Sequence, residues 1–141
     1  MKKITILLSA LLLTVTTLFA QEDHKHGAPH GGEVKTAGAY FHLEAVVKGD
    51  NLTVYLLDGN EKTLSIAGAT AMAIIQTVDG KISRTPLKAN GKENFVYKLS
   101  PAIKYNKAIV TIKTGGKTAS ASFDLNRKAG SAKHETPAHK H

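Results

Sequence analysis

The sequence predicts an all-β domain, an antiparallel β-sandwich of immunoglobulin-like topology with seven to eight strands. Apolar and polar residues alternate along most of the chain between residues 36 and 126, which is the period of a strand with one buried face. Turn-forming residues interrupt this pattern at intervals near the ~8–12 residues typical of a sandwich. No amphipathic helix of useful length is visible. A small barrel is the second choice of architecture.

The first predicted strand begins at Tyr40, and its apolar face alternates with a face that carries His42 and Glu44. A turn at Gly49 to Asn51 separates it from the next strand. The strands predicted after it are Leu52 to Leu57, a short one around Leu64 to Ile66, Thr70 to Val78, Lys81 to Lys88, Phe95 to Leu99, Ala108 to Lys113 and Lys117 to Leu125.

The middle of the chain supplies the strongest hairpin signal. Thr70 to Val78 is apolar enough to predict a central strand buried on both faces. Asp79-Gly80 then predicts a tight turn into the strand from Lys81 to Lys88. Pro86 places that returning strand at an edge, because proline donates no hydrogen bond to a neighbouring strand.

The two ends of the chain lack the alternating pattern. Residues 1–20 have the basic start, the apolar run of 16 residues and the small final residue of a secretory signal peptide. That run is shorter than the ~20 residues that span a bilayer, so we expect no stable membrane anchor after cleavage. We therefore expect a signal peptide over 1–20, a His-rich flexible arm over 21–35, the β-sandwich over 36–126 and a disordered His/Lys tail over 127–141.

Composition narrows the function classes. The formal charge is +8, but the lysines are dispersed and arginine occurs only at Arg84 and Arg127. Nucleic-acid binding would require a clustered basic patch, so we expect no nucleic-acid partner. The chain has no cysteine, so neither disulfides nor thiolate metal ligands are available in the periplasmic or secreted location that a signal peptide implies.

The seven histidines gather at the two ends of the predicted domain. His24, His26 and His30 lie in the Gly-containing arm, and His42 and Glu44 emerge from the same face of one strand. If the arm folds back over that face, these five residues form a metal site of imidazoles and one carboxylate. Such a ligand set suits copper or zinc first, with nickel as a third candidate.

Two plainer interpretations stay open at this point. A His-rich arm can be a solvated segment of low affinity, and the His42 face can be an exposed strand surface with a cross-strand partner. A possible weak second metal site, or a set of scavenging ligands without fixed geometry, consists of the tail residues His134, His139 and His141.

Three segments together resemble a known family. They are Pro29-His30-Gly31-Gly32, then Tyr40 with His42-Leu43-Glu44, then the strand from Leu52 to Asp58. The pattern, over roughly His26 to Leu125, is similar to the small His-Gly-Gly heavy-metal-binding β-domain found at the front of periplasmic adaptor subunits of RND-type metal efflux pumps and as stand-alone exported proteins. The resemblance implies a domain that binds or delivers copper, zinc or similar ions. It carries His30 over as a candidate ligand, with His42 and Glu44 as further candidates.

We therefore expect an exported protein that sequesters or delivers a divalent transition metal in metal homeostasis or resistance. The chain leaves no room for the other domains of a pump adaptor, which favours a free carrier whose partner is a metal efflux system or a metal-accepting protein. The alternative is a non-catalytic β-sandwich module that binds a protein or glycan, with incidental histidines. We expect no enzyme, because no nucleophile triad, phosphate-binding loop or carboxylate pair can be placed.

Overall fold

The structure is a computed structural model that describes residues 27–126. Those residues form eight β-strands and, within this range, no helix. The strands are β1 (Glu33–Thr36), β2 (His42–Lys48), β3 (Asn51–Leu57), β4 (Thr70–Thr77), β5 (Ile82–Asn90), β6 (Asn94–Lys98), β7 (Tyr105–Thr114) and β8 (Lys117–Asp124). The predicted all-β class and the predicted number of strands are confirmed.

All eight strands belong to one antiparallel sheet in the order β1-β2-β3-β6-β5-β4-β7-β8. β5 joins the two halves of this sheet, because its residues 82–87 pair with β4 and its residues 88–90 pair with β6. The two outermost strands also approach each other, since the Ser120 amide of β8 donates to the Ala37 carbonyl oxygen, just after β1, at 3.3 Å. The sheet is therefore nearly closed.

This order differs from the predicted immunoglobulin-like sandwich, in which two separate sheets pack face to face. The nine-residue β5 is long enough to leave one half of the sheet and enter the other, so the halves remain continuous. Alternation along a strand indicates which face is buried, but it does not indicate which strands are neighbours. The topology could therefore not be inferred from the alternation that predicted most of the strands. The short strand predicted around Leu64 to Ile66 is absent, because this segment forms only an isolated bridge between Thr63 and Leu57.

The core lies inside the nearly closed sheet and is built from the inward-facing residues of the strands. In β8, for example, Ala119, Ala121 and Phe123 are buried while the residues between them are exposed, as the alternation predicted. The largest fully buried core side chains are Leu43, Leu52, Leu56, Ile75, Ile112, Phe95 and Phe123.

One predicted strand is buried differently from expectation. β4 is central, between β5 and β7, but only its inward face is covered, and its burial alternates along the strand. Met72 on the other face is 40% exposed. The prediction that β4 is buried on both faces is therefore wrong, because an apolar strand face can be exposed and hydrophobicity alone does not distinguish it from a buried one.

The sheet also begins before residue 36. β1 takes up the last three residues of the predicted arm and pairs with β2 through Glu33↔Ala45 and Thr36↔His42. Because β1 lies beside β2, the residues that precede β1 lie close to the outer face of β2. This is the face that carries His42 and Glu44.

Candidate functional site

The chain before β1 turns back over the outer face of β2. The Gly31 amide donates to the Ala28 carbonyl oxygen at 3.0 Å and closes a tight turn. Gly31 has a φ of +77°, in the left-handed region that residues with a Cβ rarely adopt. The turn therefore requires glycine at this position, and it places His30 beside Glu44.

Gly32 brings the backbone unusually close to β2. A Cβ at this position would overlap the Ala45 carbonyl oxygen and lie 2.8 Å from Cγ2 of Val46. Both atoms belong to residues of a paired strand, so neither can move away cheaply. The close approach allows the Gly32 amide to donate to Glu44 Oε1 at 2.8 Å.

Glu44 is the centre of the site, and it is the one fully buried charged side chain among residues 27–126. Its Oε1 accepts from the amides of His30 at 2.9 Å and Gly32 at 2.8 Å. Its Oε2 accepts from the His30 ring nitrogen Nδ1 at 2.7 Å, with the His30 amide also 3.2 Å away. Burying a carboxylate costs much free energy unless donors replace its water, and the turn supplies three such donors.

The His30 imidazole is held on three sides. Its Nδ1–H donates to the Glu44 carboxylate, so in the neutral ring the lone pair is on Nε2. The ring stacks on Tyr55 of β3 with centroids 3.5 Å apart and planes 3° from parallel. Nε2 lies 3.3 Å from the Thr63 hydroxyl, which donates to it in this tautomer. The side chain is 24% exposed, so the ring is fixed in orientation while remaining accessible.

His42 is oriented in a similar way, two residues before Glu44 on the same face of β2. Its Nδ1 donates to the Asp58 carbonyl oxygen at 3.1 Å, which again puts the lone pair of the neutral ring on Nε2. Asp58 begins the loop after β3, and its carboxylate accepts from the amides of Asn60 at 2.8 Å and Lys62 at 2.9 Å. The loop that orients His42 is thus itself fixed by a carboxylate.

The structure brings some of the predicted ligands together. His30 and Glu44 are in direct contact, and the described part of the arm, from residue 27 onward, lies against the face of β2 that carries Glu44 and His42. Within residues 27–126, no group of three or more His, Cys, Asp or Glu side chains is arranged to hold a metal ion. The predicted ligands that lie outside the described residues are His24, His26, His134, His139 and His141.

Sequence reasoning missed three parts of the site. Tyr55 supports the imidazole through stacking, and its alternation on β3 opposite Glu44 could have indicated this. Thr63 contacts Nε2 from a loop that gave no signal, because its position depends on an isolated bridge to Leu57. The backbone donors of the His-Gly-Gly turn were also missed, although adjacent glycines before a strand favour close approach of the backbone.

Comparisons with known proteins found no family model, no curated protein and no solved structure that matches this chain. A search of residues 27–126 for helices long and apolar enough to cross a membrane found none.

Proposed function

We propose that this protein binds a divalent transition metal through the Nε2 atom of His30. The observation that supports this most strongly is the hydrogen bond of 2.7 Å from His30 Nδ1 to the buried carboxylate of Glu44. Metal-ligating histidines almost always donate their other ring N–H to a carboxylate, a carbonyl or water, which fixes the tautomer and raises the basicity of the ligating nitrogen. His30 has that partner and is partly accessible.

Glu44 has an orienting role in this proposal. Both of its oxygens already accept hydrogen bonds from the turn, so it holds the ligand His30 and does not itself need to touch the metal. The Thr63 hydroxyl contact with Nε2, at 3.3 Å, is long and is easily exchanged for a metal bond. The imidazole therefore needs little reorganisation to become a ligand.

The remaining ligands of the proposed site are also imidazoles. His42 supports this because its Nδ1 donates to a carbonyl, the second arrangement common for metal-binding histidines. His24 and His26 precede His30 by six and four residues, close enough in sequence to complete the set. A cysteine-free set of this kind suits copper or zinc, with nickel as a third candidate. The tail residues His134, His139 and His141 form the weaker second site of the proposal.

The biological role that we propose is sequestration or delivery of copper or zinc outside the cytoplasm, in metal homeostasis or resistance. The signal-like residues 1–20 support export, and the His-Gly-Gly resemblance supports metal handling. The proposed partner is a metal efflux system or a metal-accepting protein. A role as a carrier requires no catalytic group.

Native mass spectrometry of the chain from Gln21 onward, titrated with Cu(II), Zn(II) and Ni(II), tests this proposal. We expect tight uptake of one ion that His30→Ala weakens by about a hundredfold or more, because the oriented ligand is lost. The matched control is His139→Ala, which removes one imidazole from the tail and should leave the tight site unchanged. Equal affinity in the parent and in the His30→Ala variant would refute the proposal.

A further inference from the structure

The outer face of the second half of the sheet carries an apolar groove that is separate from the His30 site. Strands β5, β4 and β7 form a concave surface here with a cavity volume of about 460 Å³. We call this surface the β4 groove, and its principal lining residues are Met72, Ile74, Arg84, Pro86, Thr111 and Lys113. Ligand pockets in proteins typically have volumes of ~300–1,000 Å³.

The groove has an apolar floor that no element of residues 27–126 covers. Met72 is 40% exposed, and Ile74 beside it is only partly buried. The strand pairing sets Met72 opposite Pro86 on one side and Thr111 on the other, so an apolar strip crosses the middle of the groove. Adjacent exposed apolar side chains of this kind are typical of a binding surface.

Two cations lie at opposite ends of this strip. Arg84 pairs across from Ile74, and Lys113 pairs across from Thr70, four residues away along β4. Two strand spacings of ~4.8 Å and four residues at a rise of ~3.4 Å put their Cα atoms about 17 Å apart. Within the described residues neither cation forms a salt bridge. The groove is thus apolar in the centre and positive at both ends.

We propose that the β4 groove binds an extended acidic segment of a partner polypeptide. Side chains at positions i, i+2 and i+4 of an extended chain share one face, and the outer two are about 13–14 Å apart. An acidic residue at each end and an apolar residue between them would therefore meet Arg84, the floor at Met72 and Lys113. Each end of the ligand neutralises one cation, and the centre covers the exposed thioether.

Other occupants fit the groove less well. The chain's own residues 127–141 carry four Lys or Arg and a single acidic residue, Glu135, so they have the wrong charge. A fatty acid has one anionic head and would leave one cation unmatched. A flat anionic bilayer would contact the rim of a concave surface but would not reach its floor. A linear ligand with two negative charges matches both the charge and the shape.

The test is titration of the ¹⁵N-labelled chain from Gln21 onward with an acetylated and amidated peptide, Glu-Thr-Val-Thr-Glu, followed by NMR. We expect saturable shifts of amides in β4, β5 and β7, and none in β2. The first control peptide replaces both Glu residues with Gln. The second, Thr-Glu-Glu-Val-Thr, has the same composition but places its acidic side chains next to each other.

Protein variants test the two cations separately. Arg84→Gln and Lys113→Gln should each raise the dissociation constant about two- to fivefold, as expected for solvent-exposed ion pairs, and the double variant about tenfold. Lys98→Gln on β6, in the first half of the sheet, makes the same charge change and should have no effect. All these residues are exposed, so spectra of the variants should otherwise match the parent.

Three results would overturn the proposal. One is the absence of shifts at millimolar peptide, and another is equal binding of the Gln peptide. The third is sedimentation with phosphatidylglycerol vesicles that Arg84→Gln and Lys113→Gln abolish while the peptide does not bind, which would assign the groove to a membrane surface. Because the β4 groove and the His30 site are on different halves of the sheet, none of these results bears on metal binding.

Discussion

Replacement of Glu44 by glutamine tests the centre of the site with the smallest change of shape. The amide keeps one oxygen, which can still accept from the amides of His30 and Gly32. The other oxygen becomes an NH₂ group, which faces His30 Nδ1 with a donor where an acceptor stood. The imidazole must then either turn away or move its proton from Nδ1 to Nε2, and the second choice removes the lone pair that we assign to the metal.

The size of the effect follows from the hydrogen bonds that change. A hydrogen bond to a charged group contributes about 1.5–3 kcal/mol and a neutral one about 0.5–1.5 kcal/mol, and the variant loses one charged bond and weakens two. Easier desolvation of the amide offsets part of this loss. We expect a decrease of about 2 kcal/mol in the free energy of unfolding, which corresponds to a fall of about 8–15 °C in Tm for a domain of this size. Metal affinity should fall about ten- to a hundredfold.

Urea unfolding followed by tyrosine fluorescence measures the first quantity, and metal competition measures the second. The control is Glu33→Gln on the neighbouring strand, where the carboxylate forms a partly exposed ion pair with Lys35 at 3.2 Å. Exposed pairs contribute at most about 1 kcal/mol, so this control should remain close to the parent. If Glu44→Gln and Glu33→Gln had the same stability, the carboxylate would not organise the turn and the reasoning would be refuted.

Three further predictions concern other parts of the molecule. Gly32→Ala should lower the free energy of unfolding, measured in urea, by about 2–3 kcal/mol. The control is Gly59→Ala, whose added Cβ would meet nothing within 4 Å and should change this free energy by less than about 0.5 kcal/mol. Equal effects of the two substitutions would contradict the close approach of Gly32 to β2. The pKa of Asp79 lies below its ordinary value, because its carboxylate accepts a hydrogen bond from the Thr77 hydroxyl and, as the smaller cause, interacts with Lys81. The contribution of Asp79 to the β4–β5 hairpin is therefore present above the ordinary pKa and is lost as pH falls through the lowered one, which a ¹³C titration of its carboxyl group would show and Asp79→Asn would abolish. Tyr55→Leu should lower the free energy of unfolding by about 0.5–1.5 kcal/mol more than the lost buried area accounts for, because the His30 imidazole loses its stacking partner. If amide hydrogen exchange at the turn were the same as in the parent, this prediction would be contradicted.

Several features of the fold could be predicted because they depend on local chemistry. Alternation predicted that Leu43 and Ala45 share one face of β2 and that Glu44 lies on the other. In the structure Leu43 and Ala45 belong to the core, while Glu44 is buried separately, beneath the turn that contains His30. The Asp79-Gly80 turn was predicted from residue type alone and connects β4 to β5. Pro86 was expected at an edge, and in the described residues its part of β5 pairs with β4 alone, since β6 pairs only with residues 88–90.

Other features depend on the path of the whole chain and could not be predicted. The continuity of the sheet through β5 depends on how far that strand extends past its first neighbour. The burial of Glu44 depends on a turn 12 to 16 residues earlier in the chain, and no local pattern around Glu44 indicates a cover. For this site the sequence allows only a conditional prediction, namely that the arm forms a site with Glu44 if it folds back. The structure shows that His30 does fold back onto Glu44.

If His30 Nε2 is a preoriented metal ligand, the chemical shifts of the imidazole nitrogens report metal binding directly. The measurement is a long-range ¹H–¹⁵N spectrum of the histidine side chains of the chain from Gln21 onward during titration with Zn(II). We expect the His30 Nε2 resonance to shift and to saturate at one ion per chain, while Nδ1 keeps its proton and its bond to Glu44. Saturation of the other histidines with both His30 nitrogens unchanged would contradict it.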